Sequence, residues 1–251
     1  MPILADPLLL AALALVALLY ASVGHAGASG YIAVLALAGL DPVVIKPTAL
    51  VLNVAVASLA SWQFARAGHL RWRTFWPVGL LSVPMAFLGG AIDLPVVWFQ
   101  RLVGLVLLAS ALRFLSQPSD PTCLREPRPA VLLLSGGGLG LLAGLTGTGG
   151  GIFLTPLLLL RSWCTTRQAG AVSALFILSN SLAGLAGLLL SPLGRVGPVL
   201  PGPLWPLLAV VVVAGGVGAR LGSRHLPVAA IRWLLALVLV VAGLKLLGLG
   251  A

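Results

Sequence analysis

The sequence predicts an all-α polytopic membrane protein, built from two inverted repeats of about five segments each and containing short helices broken by glycine. The first observation is composition: of 251 residues, 60% are hydrophobic and 8% are charged, and the mean hydropathy is +1.13. A soluble domain carries roughly 25% charged residues. The second is that apolar runs near the ~20 residues needed to cross a bilayer recur along the chain. Because these runs are continuous rather than alternating, a β-barrel is excluded.

The third observation is an internal duplication. A shift of 121 residues aligns HAGASGYIAVLAL (25–37) with TGTGGGIFLTPLL (146–158), and a shift of 132 aligns residues 95–115 with 227–247. Glycine, proline, tryptophan and arginine landmarks keep their order in both halves, which leucine-rich sequences alone do not explain. A polar, proline-rich stretch separates the halves. The predicted units are a first transmembrane repeat, a cytoplasmic linker and a second transmembrane repeat, at residues 1–115, 116–129 and 130–251.

Each half has the same predicted order of elements. A long helix comes first and ends at a glycine-rich break, and a short apolar segment follows that is too brief to span a bilayer alone. Three longer helices complete the half. The segments expected in the first half are 3–23, 29–40, 45–65, 74–92 and 96–114. Those expected in the second half are 130–145, 150–160, 167–190, 203–220 and 228–248.

The formal net charge of +10 bears on orientation, since lysine and arginine accumulate on the cytoplasmic side of membrane proteins. If all five segments of each half cross, the halves are inverted and most arginines fall on one side. If the short segments are instead re-entrant, the arginines divide between the two sides. The positive-inside rule favours the inverted arrangement, with both termini outside. It also explains the charge better than a nucleic-acid partner, because basic residues do not cluster with aromatic residues outside the membrane.

The glycine-rich breaks are the candidate functional elements. The stretch GLTGTGGGIFLTP (144–156) lacks the Lys-Ser/Thr pair of a phosphate-binding P-loop. Breaks at matching places in inverted repeats are typical of secondary transporters, which build a midplane site from them. The N–H groups of a half-helix bind anions there. The alternative is close helix packing in lipid. The glycines concerned are Gly24, Gly27 and Gly30 in the first break and Gly147, Gly149, Gly150 and Gly151 in the second.

Polar side chains beside the breaks are candidate ligands. His25 aligns with Thr146 and is the imidazole predicted at membrane depth, where ionisable groups usually mark function. The hydroxyls of Ser29, Thr146 and Thr148 either line an anion path or hydrogen-bond to their own helices. Asn53 is an amide within an apolar helix. It either contacts the ligand or joins helices by hydrogen bonds.

Two basic residues occupy equivalent positions at helix starts. A shift of 121 residues places Lys46 on Arg167. As a functional pair they would lie at opposite mouths of an anion pathway. The alternative is that both side chains extend to the membrane interface.

The acidic residues limit the type of cargo. Five are present and none is expected in the middle of a helix: Asp6, Asp41, Asp93, Asp120 and Glu126. Because a cation pump or a carboxylate proton relay normally has a carboxylate at membrane depth, we expect a small anionic substrate. We expect neither a metal nor a cofactor. An intramembrane enzyme with His25 as base and Ser29 as nucleophile is disfavoured, since no carboxylate orients the histidine.

These motifs resemble those of the TauE/SafE sulfite exporter family. The resemblance rests on SVGHAGASGYIAVLAL with KPTALVLN in the first half, and on GLTGTGGGIFLTPLLLL with RQAGAVSALFILSNSLAG in the second. It covers nearly the whole chain, although the first break lacks the usual consecutive glycines. It implies a multi-pass protein of the bacterial inner membrane that exports sulfite, organosulfonates or similar anions. A membrane-embedded scaffold subunit is the other alternative, and a homo-oligomer is compatible with either.

Overall fold

The computed structural model describes residues 6–92, 120–121, 123–190 and 204–248, with positions 105, 108, 111–112 and 115. These residues form helices and no strand, which confirms the all-α prediction. In the first half the helices are α1 (Pro7–Ser22), α2 (Ala28–Leu37), α3 (Pro42–Arg66) and α4 (Trp72–Ala91). The second half has α5 (Pro129–Thr146), α6 (Gly151–Leu160), α7 (Thr166–Leu190), α8 (Trp205–Arg220) and α9 (Val228–Leu246). The segment expected at 96–114 lies mostly outside the described residues.

The Asp-Pro dipeptide marks the start of two first-half helices. The Asp6 carboxylate accepts from the backbone N–H of Leu8 at 3.0 Å, and the Asp41 carboxylate accepts from that of Val43 at 2.9 Å. A side-chain oxygen at this position satisfies a backbone donor that the helix leaves unpaired. Proline follows at the first helical position, where its missing N–H costs nothing. The repeated dipeptide therefore fixes where α1 and α3 begin.

Helix length separates two classes of segment. Within the described ranges, five helices are long and apolar enough to cross a membrane: α3, α4, α5, α7, and α8 together with the π-helical turn Leu221–His225. The α2 and α6 helices have 10 residues each. At 1.5 Å per residue they reach only about 15 Å, roughly half the hydrocarbon thickness. The chain is thus a multi-pass membrane protein with two half-length helices.

The two halves pack through paired interfaces. Helices α3 and α7 pack against each other at the centre. The first helix of each half packs on the fourth helix of the other, so that α1 contacts α8 and α5 contacts α4. Likewise, α3 contacts α8 and α7 contacts α4. Each of these interhalf pairings has its counterpart when the two halves are exchanged.

Glycines allow the crossing helices to touch at the backbone. A Cβ atom at Gly140 in α5 would overlap the carbonyl oxygen of Ser82 in α4 and lie 2.6 Å from its Cα atom. In α8, a Cβ atom at Gly218 would overlap the carbonyl oxygen of Leu18 in α1. Small residues that bring backbones together are the usual means of packing helices in lipid. Glycines outside the breaks therefore have a packing role.

Most described arginines gather at one end of the molecule, which we call the arginine-rich end. Arg71, before α4, donates to the Trp163 carbonyl and to Glu126, both at 2.8 Å. Arg167 donates to the Leu226 carbonyl at 2.8 Å. These bonds join the loops before α4, α7 and α9 to the linker. The arginines are Arg66, Arg71, Arg73, Arg125, Arg128, Arg161, Arg167, Arg220, Arg224 and Arg232.

A buried ionic cluster ties the linker to this end. The Asp120 carboxylate accepts from the backbone N–H and the hydroxyl of Thr166, at 2.8 and 2.5 Å. Arg232 of α9 is 4% exposed, donates to the Thr166 hydroxyl at 2.9 Å and lies 3.3 Å from the carboxylate. The cluster joins the linker, the start of α7 and α9.

We expect Asp120→Ala to destabilise the protein by about 2 kcal/mol, less than the ~3–5 kcal/mol of a fully buried pair because Asp120 is 26% exposed. The substitution removes the carboxylate that compensates the buried Arg232 charge. Asp120→Ala/Arg232→Met should recover most of the loss, since no buried charge then remains. Thermal unfolding in detergent measures both effects. A double variant less stable than Asp120→Ala would contradict this account.

Candidate functional site

The two breaks owe their shape to left-handed glycines. Gly24 and Gly27 have φ of +81° and +105°, and Gly147, Gly149 and Gly150 have φ of +72°, +72° and +79°. Glycine adopts this region without steric cost. Gly27 and Gly150 are the N-cap residues of α2 and α6, and as glycines they provide no side chain of their own to cap the first backbone N–H groups. Both half-length helices therefore begin with backbone donors facing the interior of the bundle.

Asn53, in the middle of α3, connects the breaks. Its carbonyl oxygen accepts from the backbone N–H of Ala28, the first residue of α2, at 3.0 Å. Its amide nitrogen donates to the Ser181 hydroxyl at 3.2 Å and to the Thr148 carbonyl at 3.4 Å. Asn53 is fully buried. One side chain thus joins the start of α2 to the second break and to α7.

His25 makes a second connection between the breaks. Its Nε2 atom lies 3.1 Å from the Gly151 carbonyl oxygen and 2.8 Å from the Thr155 hydroxyl. Thr155 in turn donates to Ser173 on α7 at 2.7 Å. Because a carbonyl oxygen only accepts, Nε2 carries the proton. A neutral ring then has its lone pair on Nδ1, which is buried and makes no hydrogen bond to any residue that the structure describes.

Two glycines of the second break make room for these side chains. A Cβ atom at Gly149 would lie 2.8 Å from the Asn53 amide nitrogen and 2.9 Å from the Ser181 hydroxyl. At Gly151 it would lie 3.2 Å from the His25 ring and 2.6 Å from Ile177 Cγ1, and it would overlap Ile177 Cδ1. We call the residues joined across the breaks the interbreak cluster: His25, Asn53, Thr148, Gly149, Gly151, Thr155, Ser173 and Ser181.

Two predicted hydroxyls bond within their own half. Ser29 donates to the Tyr20 hydroxyl at 3.1 Å. Thr146 donates to the Leu142 carbonyl of its own helix at 2.7 Å, and its hydroxyl lies 2.8 Å from that of Thr148. Thr146 therefore makes the bond to its own helix that was the alternative to lining an anion path. Ser29 is thus bonded to Tyr20, whereas His25 is bonded through Nε2 to α6.

Three predicted glycines are in packing positions. A Cβ atom at Gly24 would lie 2.6 Å from the Gly170 backbone in α7, and one at Gly30 would lie 2.5 Å from Val16 in α1. A Cβ atom at Gly150 would lie 2.9 Å from Phe176. These glycines shape the breaks by close packing, whereas Gly149 and Gly151 contact polar side chains.

The predicted basic pair lies at opposite ends of the central helices. Arg167 is at the start of α7, within the arginine-rich end. Lys46 is near the start of α3, and its Cγ atom would lie 3.0 Å from a Cβ atom at Gly147. The alkyl part of Lys46 therefore lies beside the second break. Both residues are half-buried, which fits a pathway mouth and an interfacial side chain equally.

Sequence reasoning missed Thr155, Ser173 and Ser181. A signal was present for two of them, because Ser173, Ile177 and Ser181 follow one another at four-residue spacing and share one face of α7. Asn180, one residue before Ser181, faces α4 instead, where its amide oxygen accepts from the Ser82 hydroxyl at 2.5 Å.

Comparisons with known proteins agree with this architecture. The family model described as sulfite exporter TauE/SafE matches residues 9–246. A probable membrane transporter protein of Sinorhizobium fredii is 40% identical over 237 residues, which are 92% of this chain and 94% of that protein. A probable membrane transporter protein of Methanocaldococcus jannaschii is 26% identical over 131 residues, 51% of this chain and 49% of that protein. No solved structure matches the chain.

Proposed function

Because the chain belongs to the sulfite exporter TauE/SafE family and is a membrane transporter, we propose that it exports a small oxyanion such as sulfite or an organosulfonate. The observation that carries this proposal is the interbreak cluster. It places the starts of two half-length helices at one buried position between the halves. Secondary transporters bind substrate at such positions.

The chemistry of the cluster suits an anion that must be released again. Each helix N-terminus contributes about half a positive charge. The amide and hydroxyl groups of Asn53, Thr148 and Ser181 add directional hydrogen bonds without full charge. A buried lysine or arginine would hold an oxyanion more tightly in the low-dielectric interior. Partial charges give the intermediate affinity that a carrier needs.

The inverted arrangement is part of the proposal. The paired contacts α1–α8 and α5–α4 support two halves related by a two-fold axis in the membrane plane. The positive-inside rule then assigns the arginine-rich end to the cytoplasm and the Lys46 end to the outside. Exchange between two related packings of the halves would open the interbreak cluster to each side in turn. The bacterial inner membrane is the location that fits the family.

Efflux from proteoliposomes tests the proposed function. Purified protein is reconstituted into liposomes loaded with radiolabelled sulfite, and loss of label is compared with liposomes holding heat-denatured protein. Methanesulfonate serves as an organosulfonate probe and a monovalent cation as a negative control. We expect efflux of at least one of the two anions and none of the cation. A folded protein that moves neither anion would contradict the proposal and favour a scaffold subunit.

Asn53→Asp should reduce anion efflux at least about tenfold, because repulsion from a carboxylate raises the free energy of a nearby anion by several kcal/mol. The aspartate still accepts from Ala28 but cannot donate to Thr148, and its charge repels the substrate. Asn180→Asp is the matched control because that amide faces α4. Initial efflux rates at equal protein density give the comparison. Equal losses in both variants would show that Asn53 has no special part in transport.

A further inference from the structure

Two buried polar atoms beside the first break have no hydrogen-bond partner among the described residues. They are the hydroxyl of Tyr31 and the Nδ1 atom of His25. Tyr31 is 0% exposed and His25 is 1% exposed. Leaving a buried polar group unpaired costs about 1–3 kcal/mol, so each such group requires an explanation.

The Tyr31 hydroxyl is held at the start of α2. Side chains on a helix point toward its N-terminus, and the Tyr31 ring reaches back one turn onto Gly27, the N-cap residue. A Cβ atom at Gly27 would lie 2.9 Å from the ring carbon that bears the hydroxyl and 3.0 Å from the oxygen. Glycine at this position therefore lets the hydroxyl approach the backbone donors of α2.

Packing does not account for the hydroxyl. Tyr31 belongs to an apolar core with Leu13, Leu35 and Leu52. Phenylalanine would fill the same space there without burying an unpaired oxygen. The hydroxyl therefore lowers the stability of the folded protein, as is expected of a group whose role is to bind a ligand.

His25 supplies the complementary group two residues before Gly27. Since Nε2 donates to Gly151 on α6, the free position of the ring is an acceptor at Nδ1. The titratable neighbour on α1 is Tyr20, whose ring centroid lies 6.5 Å away. Among the described residues, Gly151 and Thr155 of α6 are bonded to His25 and do not titrate. Thr155 is bonded in turn to Ser173 of α7.

We propose that the Tyr31 hydroxyl donates a hydrogen bond to the transported anion and that His25 Nδ1 accepts one from it. This rests on the proposed function and narrows its substrate class to an oxyanion that carries one proton, as hydrogen sulfite does. Such an ion has both a donor and an acceptor, so it satisfies both unpaired groups. A sulfonate has acceptors alone and satisfies Tyr31 while leaving Nδ1 unpaired.

Tyr31→Phe tests the donor. We expect thermal stability in detergent to be unchanged or raised, because the variant loses no hydrogen bond within the described chain. The dissociation constant for sulfite, measured by tryptophan fluorescence at mildly acidic pH, should rise about tenfold, which corresponds to ~1.4 kcal/mol. Ser61→Ala is the matched control, since Ser61 on α3 also carries a buried hydroxyl without a described partner. It should bind sulfite like the wild type.

His25→Gln tests the acceptor, because the glutamine amide can still donate to Gly151 but has no atom at the Nδ1 position. Sulfite binding should weaken more than methanesulfonate binding. If the binding of both anions weakened equally, the proposed preference for a protonated oxyanion would be wrong. Wild-type affinity for sulfite in Tyr31→Phe would overturn the inference as a whole. A wild-type protein that binds neither anion would instead contradict the proposed function.

Discussion

Gly140→Ala should destabilise the protein, whereas Gly138→Ala in the same helix should be neutral or stabilising. A Cβ atom at Gly140 would overlap the Ser82 carbonyl of α4, and backbone cannot give way without separating α4 from α5. Overpacking of this kind costs about 1–3 kcal/mol or more. Gly138 has no atom within 4 Å of an added Cβ. Alanine there gains up to ~1 kcal/mol of helix propensity.

The two substituted glycines are two positions apart in the sequence, but an added Cβ atom meets the backbone of α4 at Gly140 and meets nothing within 4 Å at Gly138. Thermal unfolding of the purified proteins in one detergent gives the comparison, and the amount of monodisperse protein in a membrane extract gives a second readout. Equal stability of the two variants would show that α4 and α5 tolerate an added methyl group at their crossing.

The second large effect is expected at the second break, where Gly151→Leu should abolish anion efflux while the protein still reaches the membrane. The Cβ atom of the added side chain would overlap Ile177 Cδ1 and lie 3.2 Å from the His25 ring. It would fill the space between α6 and α7 and cover the backbone donors at the start of α6. Efflux from proteoliposomes at matched protein density measures the loss.

A leucine in open space is the control for this substitution. Gly138→Leu adds the same group where an added Cβ meets nothing within 4 Å, and it should retain efflux. The pair Gly151→Ala and Gly151→Ala/Ile177→Ala separates crowding from ligand contact. Full recovery of efflux in the double variant would assign the Gly151 effect to the Ile177 clash alone.

Most helix boundaries could be predicted from the sequence, because local chemistry sets them. α5 ends with Gly147 as its C-cap residue, and α1 ends at Ser22, two residues before Gly24. The short segments predicted at 29–40 and 150–160 are Ala28–Leu37 and Gly151–Leu160. The segment predicted at 96–114 has few described residues. The two-fold axis in the membrane plane stays a prediction, to be tested by superposing the halves in an experimental structure.

The candidate site was only partly predictable. His25 and Asn53 stood out because polar side chains in apolar helices need partners. Their partners did not, since Thr155 and Ser181 lie 130 and 128 positions away and meet them only through tertiary packing. Arg232 was missed for the same reason, as its burial depends on Asp120 in the linker.

The crossing helices also give the two halves different shapes. Most of the glycines that admit a partner's backbone lie on the second half, at Gly136, Gly140 and Gly144 of α5 and Gly218 of α8. In the first half, Gly89 and Gly90 of α4 admit the backbone of α5 and α7 in turn. Each of these contacts pairs a glycine of one half with the backbone of the other half. We therefore expect a chain divided within the linker to reassemble as pairs of unlike halves.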